Sequence, residues 1–195
     1  MAPLSILFGK LFPGHVTNII TDRARSISPA HVTVSAERLT NAAHTVRIGF
    51  DGTLSSTTIN GNGRIGFADA GSNFDITAKI TSTDAASLLR QAGVTLLPVP
   101  LAGGARLDLH AKSDPQTSTR LTLEGQVASI NGIANLTIDP LSTHVSGPIK
   151  FDTMDAAPLL LSLGMPLPDA TMKLPVTATA SLDHTNDILA VNTAE

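Results

Sequence analysis

Asp84-Ala85-Ala86-Ser87-Leu88-Leu89-Arg90-Gln91-Ala92-Gly93 returns 71 residues later as Asp155-Ala156-Ala157-Pro158-Leu159-Leu160-Leu161-Ser162-Leu163-Gly164. Both copies read D-A-A-x-L-L-x-x-x-G. In the first, Ala85, Leu88, Leu89 and Ala92 fall at i, i+3, i+4 and i+7, one apolar stripe of a short helix. Thr83 or Asp84 supplies the side-chain oxygen that caps free N–H groups at its start. Gly93 stands where a left-handed residue ends a helix, and Pro98 and Pro100 prevent its continuation. The second copy repeats this with Ala156, Leu159, Leu160 and Leu163, then Gly164 and Pro166. Pro158 falls in its first turn, where a missing N–H costs nothing.

Each helix follows an alternating run, residues 74–80 and 145–151, and precedes a Pro-containing loop into another strand. Phe74, Ile76, Ala78 and Ile80 alternate with Asp75, Thr77, Lys79 and Thr81, which means one buried and one wet face. Val32, Val34 and Ala36 do the same, as do Val46, Ile48 and Phe50. So do Leu107, Leu109 and Ala111, and Leu174, Val176, Ala178, Ala180 and Leu182. Asp51-Gly52, the run Asn60-Gly61-Asn62-Gly63 and Asn131-Gly132 are read as hairpin turns, and Thr185-Asn186-Asp187 as a further turn. Pro13-Gly14 marks a turn before a first strand over residues 15–21. Roughly ten to twelve strands and two or three short helices follow, more strands than a flat open sheet carries without curling. The expected fold is mainly β with a few short helices. It is a large, strongly curved antiparallel sheet, a β-groove or open barrel, built from two strand-helix-strand repeats at about residues 74–114 and 145–185.

The chain of 195 residues reads as one module. Charged residues are 15%, against roughly 25% in ordinary soluble domains. Thr, Ser, Ala and Gly fill the gap, which suits light strands. A net charge of −3 with no basic run lacks the footprint of a nucleic-acid binder. The absence of Cys excludes disulfides and thiolate chemistry. Residues 1–12 are apolar but interrupted by Lys10, too short for a span of about 20 residues, and without the basic start of a signal peptide. They are read as a docking helix or as the trimmed end of a longer protein.

Gly61-Asn62-Gly63-Arg64-Ile65-Gly66 spells the dinucleotide fingerprint G-x-G-x-x-G, but strand-like residues follow it where a helix is required, so it is read as a turn. His15, His31, His44, His110, His144 and His184 are scattered singly, with no ligand spacing for a metal. No Ser occupies a nucleophile elbow. No catalytic residue, cofactor or metal site is assigned.

Residues 74–79 (F-D-I-T-A-K) followed by the first D-A-A-x-L-L-x-x-x-G resemble the C-terminal region of the AsmA-like family. The likeness continues through Leu96 to Gly104 and through the second copy, and covers about residues 45–185. It implies a bacterial envelope protein, periplasmic and held in the inner membrane by an N-terminal helix. Its β-sheet would form a hydrophobic groove that serves lipid transport or outer-membrane biogenesis. The chain departs from that pattern in its shortness and in having no anchor, and is read as a module of a longer protein. Lipid or phospholipid is the implied partner, with other envelope proteins or further repeats of the same chain beside it.

Two short helices cannot cover ten strands, so the remaining apolar face must close on itself or meet something apolar. Phe74, Ile76, Ile80, Leu107, Leu109, Leu121, Leu123, Val176 and Leu182 are the expected acyl-chain contacts. The competing reading is a structural scaffold whose apolar face is only its own core. An enzyme assembled in space from His and Asp is the third.

Overall fold

The computed structural model describes residues 29–39, 44–68, 71–113, 118–139, 144–167, 173–185 and 188–194. The expected strand over residues 15–21 and the apolar residues 1–12 lie outside them. Ten strands form one sheet in plain chain order: β1 (Ala30–Arg38), β2 (Thr45–Leu54), β3 (Thr57–Ala68), β4 (Gly71–Ser82), β5 (Ala105–Ser113), β6 (Thr119–Val127), β7 (Ile130–Ile138), β8 (Val145–Thr153), β9 (Val176–Thr185) and β10 (Ile188–Ala194). Every neighbouring pair is antiparallel. The sheet is open, with β1 and β10 at its edges. Among the described residues there are two short helices, α1 (Ala85–Gln91) between β4 and β5 and α2 (Ala157–Ser162) between β8 and β9.

The three Gly-containing turn signals are not turns. β2 runs through Asp51-Gly52, β3 through the whole Gly61–Gly66 stretch, and β7 through Asn131-Gly132. The hairpins instead close at Ser55-Ser56 and at Ala128-Ser129, each with its first residue at positive φ (56° and 55°). The hydrophobic pattern explains the choice. With Leu54 opposite Thr57, the side chains of Val46, Ile48, Phe50, Leu54, Ile59 and Ile65 share one face. A turn at Asp51-Gly52 would send Leu54 to the other, since register slips exchange faces. The residues that spelled turns serve across the ladder instead. Asn60 donates to the Asp51 carboxylate, and Asn131 donates to Asp152 at 3.1 Å. Gly61 is needed where it stands because Phe50 lies directly opposite, and a Cβ there would overlap its ring.

The helices form where their repeat predicts and the surrounding bonds repeat too, but the last residue of each expected stripe, Ala92 and Leu163, stands at the C-cap and is exposed. Asp84 accepts from the Ala86 N–H at 2.9 Å, and Asp155 accepts from the Ala157 N–H at 3.0 Å. Behind each Asp stands a hydroxyl at the strand end: Ser82 Oγ accepts from Asp84 N (3.3 Å), Thr153 Oγ1 from Asp155 N (3.1 Å). Those hydroxyls in turn meet Ser56 (3.3 Å) and Ser129 (3.4 Å) in the two tight hairpins. Gly93 and Gly164 end the helices at φ 92° and 81°, with the next residue's N–H returning to Leu89 and Leu160. Thr57, buried in β3, donates to Gln91 of α1 at 2.8 Å, and Gln91 donates to the Leu54 carbonyl at 3.0 Å. α1 is thereby clamped to the β2–β3 hairpin.

Asp155 also accepts from Leu174 N at 3.2 Å, tying the loop after α2 to the helix start. Asp84 makes the single capping bond to Ala86. Asp155→Ala is therefore expected to lower stability by about 2–3 kcal/mol, the loss of two bonds to a charged acceptor. Asp84→Ala should lower it by about 1 kcal/mol. Urea unfolding of both variants checks the ordering. Equal losses would mean that the Leu174 bond contributes nothing.

Candidate functional site

Alternation along each strand and in-register pairing between strands sort the side chains into two faces. One row reads Ile48, Gly63, Ile76, Ala111, Leu121 and Leu136 from β2 to β7. The next reads Phe50, Gly61, Ala78, Leu109, Leu123, Ala134, Ile149 and Ala180, from β2 to β9. A third carries Ile59, Ile80, Leu107, Gly125, Gly132, Phe151 and Ala178. All three lie on the same side of the sheet. The other side carries Asp51, Asn60, Lys79, Asp108, Glu124, Ile133 and Lys150 in one row, with Asn62, Thr77, His110 and Thr122 in the next.

All nine expected contact residues lie on the apolar side, and all nine are half-buried. They fall into two groups. Phe74, Ile76, Ile80, Leu107, Leu109, Leu121 and Leu123 stand together on β4, β5 and β6, where Ile80 faces Leu107 and Leu109 faces Leu123. Val176 and Leu182 lie on β9, three strands from β6 or about 14 Å along the sheet. Ala134, Leu136, Ile149 and Phe151 fill the interval. With Ile48, Phe50 and Ile59 on the other flank, these belong to the face beyond the nine expected contacts, and the same alternation marks them.

What covers the apolar side is small and lies at one end. Ala85, Ala86 and Leu101 form the buried cluster, with Leu89, Leu96, Val127, Ala128 and Leu159 packed on it. The loop after α1 reaches α2, its Leu97 N–H donating to the Ser162 carbonyl at 2.6 Å. The Ala128 N–H donates to Gly104 O at 2.8 Å, so the β6–β7 turn joins the same cap. Away from the cap, no described element is layered over the rows. Among the described residues, the largest fully buried side chains are Thr57 and Ser162. A two-layer fold of comparable size buries Leu, Ile and Phe outright. Here the buried apolar residues are seven alanines with Leu88 and Leu101.

The polar face offers no assembled catalytic group among the described residues. His110 meets Asp75 at 2.8 Å and His144 meets Asp183 at 3.0 Å, with both partners of each pair exposed or half-exposed. Lys79 and Asp108 form a surface pair at 3.4 Å. No three His, Asp or Glu among the described residues are placed to hold a metal ion. G-x-G-x-x-G, mid-strand in β3, opens no helix and makes no phosphate cradle.

No family model matches this chain. Searches of curated proteins and of solved structures give no significant match either. The reading of function therefore rests on the two faces of the sheet. No helix among the described residues is long and apolar enough to cross a membrane.

Proposed function

We propose that the chain is a non-enzymatic, lipid-handling module whose apolar sheet face takes hydrocarbon, in the manner of the AsmA-like family it resembles. The observation that carries this reading is a continuous apolar face, running from β2 to β9, over which no described element is stacked away from the helical cap. Each acyl CH₂ that leaves water there gains about 0.8 kcal/mol. A dozen methylenes laid across the Ile76–Leu136 and Phe50–Ile149 rows would therefore be held firmly, even after the cost of ordering the chain. The hydroxyl-rich and charged opposite face stays wet, so the sheet separates hydrocarbon from water along its whole width. A place in the bacterial envelope, with a periplasmic position and a membrane anchor elsewhere in a longer parent chain, belongs to the same proposal. So do further repeats or other envelope proteins as partners along the sheet edges.

The scaffold reading requires a closed core, and the identity of the buried residues counts against it. Ala and Thr are what remains buried when one layer lacks a second. The test is native mass spectrometry of the purified chain, with organic extraction of the same sample. The expected result is phospholipid or fatty acid in near-stoichiometric amount. A lipid-free mass from phospholipid-rich cells would overturn the proposal in favour of the scaffold.

A further inference from the structure

We infer that the polar face carries a binding site for a phosphate-class oxoanion, built from Arg64, Lys112 and Arg120 with Arg47 beside them. No window of sequence contains this group, because its members come from β2, β3, β5 and β6. The register assembles them into one row: Glu37, Arg47, Arg64, Asp75, Lys112, Arg120. Directly opposed residues of antiparallel strands are about 5 Å apart, and like charges so placed destabilise the pair. The row contains two such pairs, Arg47 opposite Arg64 and Lys112 opposite Arg120.

Four cations face two carboxylates, and both carboxylates are engaged. Glu37 pairs with Arg47 at 3.6 Å. Asp75 sits between Arg64 and Lys112 in the ladder, yet its carboxylate turns to His110 at 2.8 Å. None of Arg64, Lys112 and Arg120 lies within ion-pair distance of a carboxylate among the described residues. The acidic row of Asp51, Asp108 and Glu124 is two rows away, about 13 Å along the strands. That exceeds the screening length of about 8 Å at physiological ionic strength, so it does little to neutralise the cations.

Arg64, Lys112 and Arg120 border a cleft of about 530 Å³ that Asp75 and Phe74 also line, with Thr45, Asn73, Ser113 and Ser118 offering further polar groups. The cleft lies at the end of the strands remote from the helices. Guanidinium forks set beside an ammonium are the donor set that a tetrahedral oxoanion takes. An anion there would relieve the repulsion between Lys112 and Arg120. The cations themselves stand on the wet face, and their anion site does not require the hydrocarbon reading, since a chain that carried no lipid could still hold phosphate.

The test is titration of the full chain with inorganic phosphate, followed by ¹H–¹⁵N NMR. It is repeated with vesicles of phosphatidylcholine alone and with added phosphatidylglycerol. Saturable shifts confined to the residues around Arg64, Lys112 and Arg120 are expected. Each cation near an anionic lipid surface contributes enough to change partitioning about five-fold, so Arg64→Gln with Arg120→Gln should weaken vesicle binding by roughly 25-fold. Lys79→Gln, on the same face but paired with Asp108, should leave binding unchanged.

Shifts with phosphate and with phosphatidylglycerol vesicles would mark a lipid headgroup site. Shifts with phosphate alone would mark a site for a soluble phosphate compound. Absence of saturable shifts with either probe overturns the inference. So does a folded double variant that binds as well as wild type. Should the double variant lose its far-UV β spectrum, Lys112→Gln alone, expected to weaken binding about five-fold, takes its place as the deciding variant.

Discussion

Ile76→Asp and Leu123→Asp are expected to leave cells without bound lipid, while Thr77→Asp retains it. Ile76 and Thr77 are neighbours on β4, and the pleat sends their side chains to opposite faces of the sheet. Ile76 stands in the row that runs through Ala111 to Leu121. Thr77 is exposed on the wet side beside Asn62 and His110. A carboxylate at position 76 would have to be desolvated against hydrocarbon, at a cost of several kcal/mol. The apolar contact of the isoleucine, about 1.5–3 kcal/mol, would be lost with it. Together these lower occupancy by at least about a hundred-fold, at roughly 1.4 kcal/mol for each factor of ten.

Leu123 repeats the test two strands away, opposite Leu109. Because Ile76 and Leu123 are half-buried rather than enclosed, the substituted carboxylate keeps access to water in the lipid-free protein. The variants should therefore fold, which a far-UV spectrum and a melting curve establish. Lipid extracted in wild-type amount from folded Ile76→Asp and Leu123→Asp would show that the apolar face is not where lipid sits. Loss of lipid in Thr77→Asp as well would point to a general effect of charge. Only the split result, one face sensitive and the other not, agrees with hydrocarbon lying on the apolar side.

Much of this architecture is legible in the sequence because the period-two signal is strong and uninterrupted. Phe74-Asp75-Ile76-Thr77-Ala78-Lys79-Ile80 can be only a half-buried strand, and it becomes the middle of β4. The repeated D-A-A-x-L-L places both helices, their capping Asp and their terminal Gly. The turns differ from the sequence expectation for an identifiable reason. Asp-Gly and Asn-Gly are favoured in two-residue hairpins, but a local preference of about 1 kcal/mol is outweighed by the burial of a whole strand face. Ser55 and Ala128, neither of them a typical left-handed residue, take the positive φ instead. Their positions are fixed by which register keeps Leu54 and Val127 on the apolar side. The oxoanion cleft was illegible for another reason. Its residues lie 8 to 37 positions from their partners in the row, and only the register shows that Arg47, Arg64, Lys112 and Arg120 align.

Gly125→Ala should be among the most destabilising single-methyl changes available in this sheet, and Gly132→Ala among the least. The two glycines face each other across β6 and β7, on the same apolar row, so sequence context alone does not separate them. Their other neighbours do. Gly125 has φ 154°, and a Cβ built on it would overlap the carbonyl oxygen of Arg106 and come within 2.8 Å of Leu107 Cα. Both are backbone atoms of β5 and cannot rotate away, so the β5–β6 ladder would have to part or shift. Overpacking of this kind costs about 1–3 kcal/mol, and the unfavourable backbone angle adds about 1–3 kcal/mol. A Cβ on Gly132 meets nothing nearer than Lys150 O at 3.7 Å, ordinary contact.

Replacing glycine where space and backbone allow it stabilises by about 0.4–1 kcal/mol through the unfolded chain. At 2–4 °C for each kcal/mol in a chain of this size, the two melting temperatures should differ by roughly 10 °C, with Gly132→Ala at or above wild type. The pair also reports on function. β5 and β6 carry Leu107, Leu109, Leu121 and Leu123, so parting them would open the middle of the proposed hydrocarbon track. Gly125→Ala should therefore lose lipid under conditions in which it is still folded, whereas Gly132→Ala should keep it. Equal melting temperatures for the two variants would mean that the close approach of β6 to Arg106 is not a constraint on the native sheet.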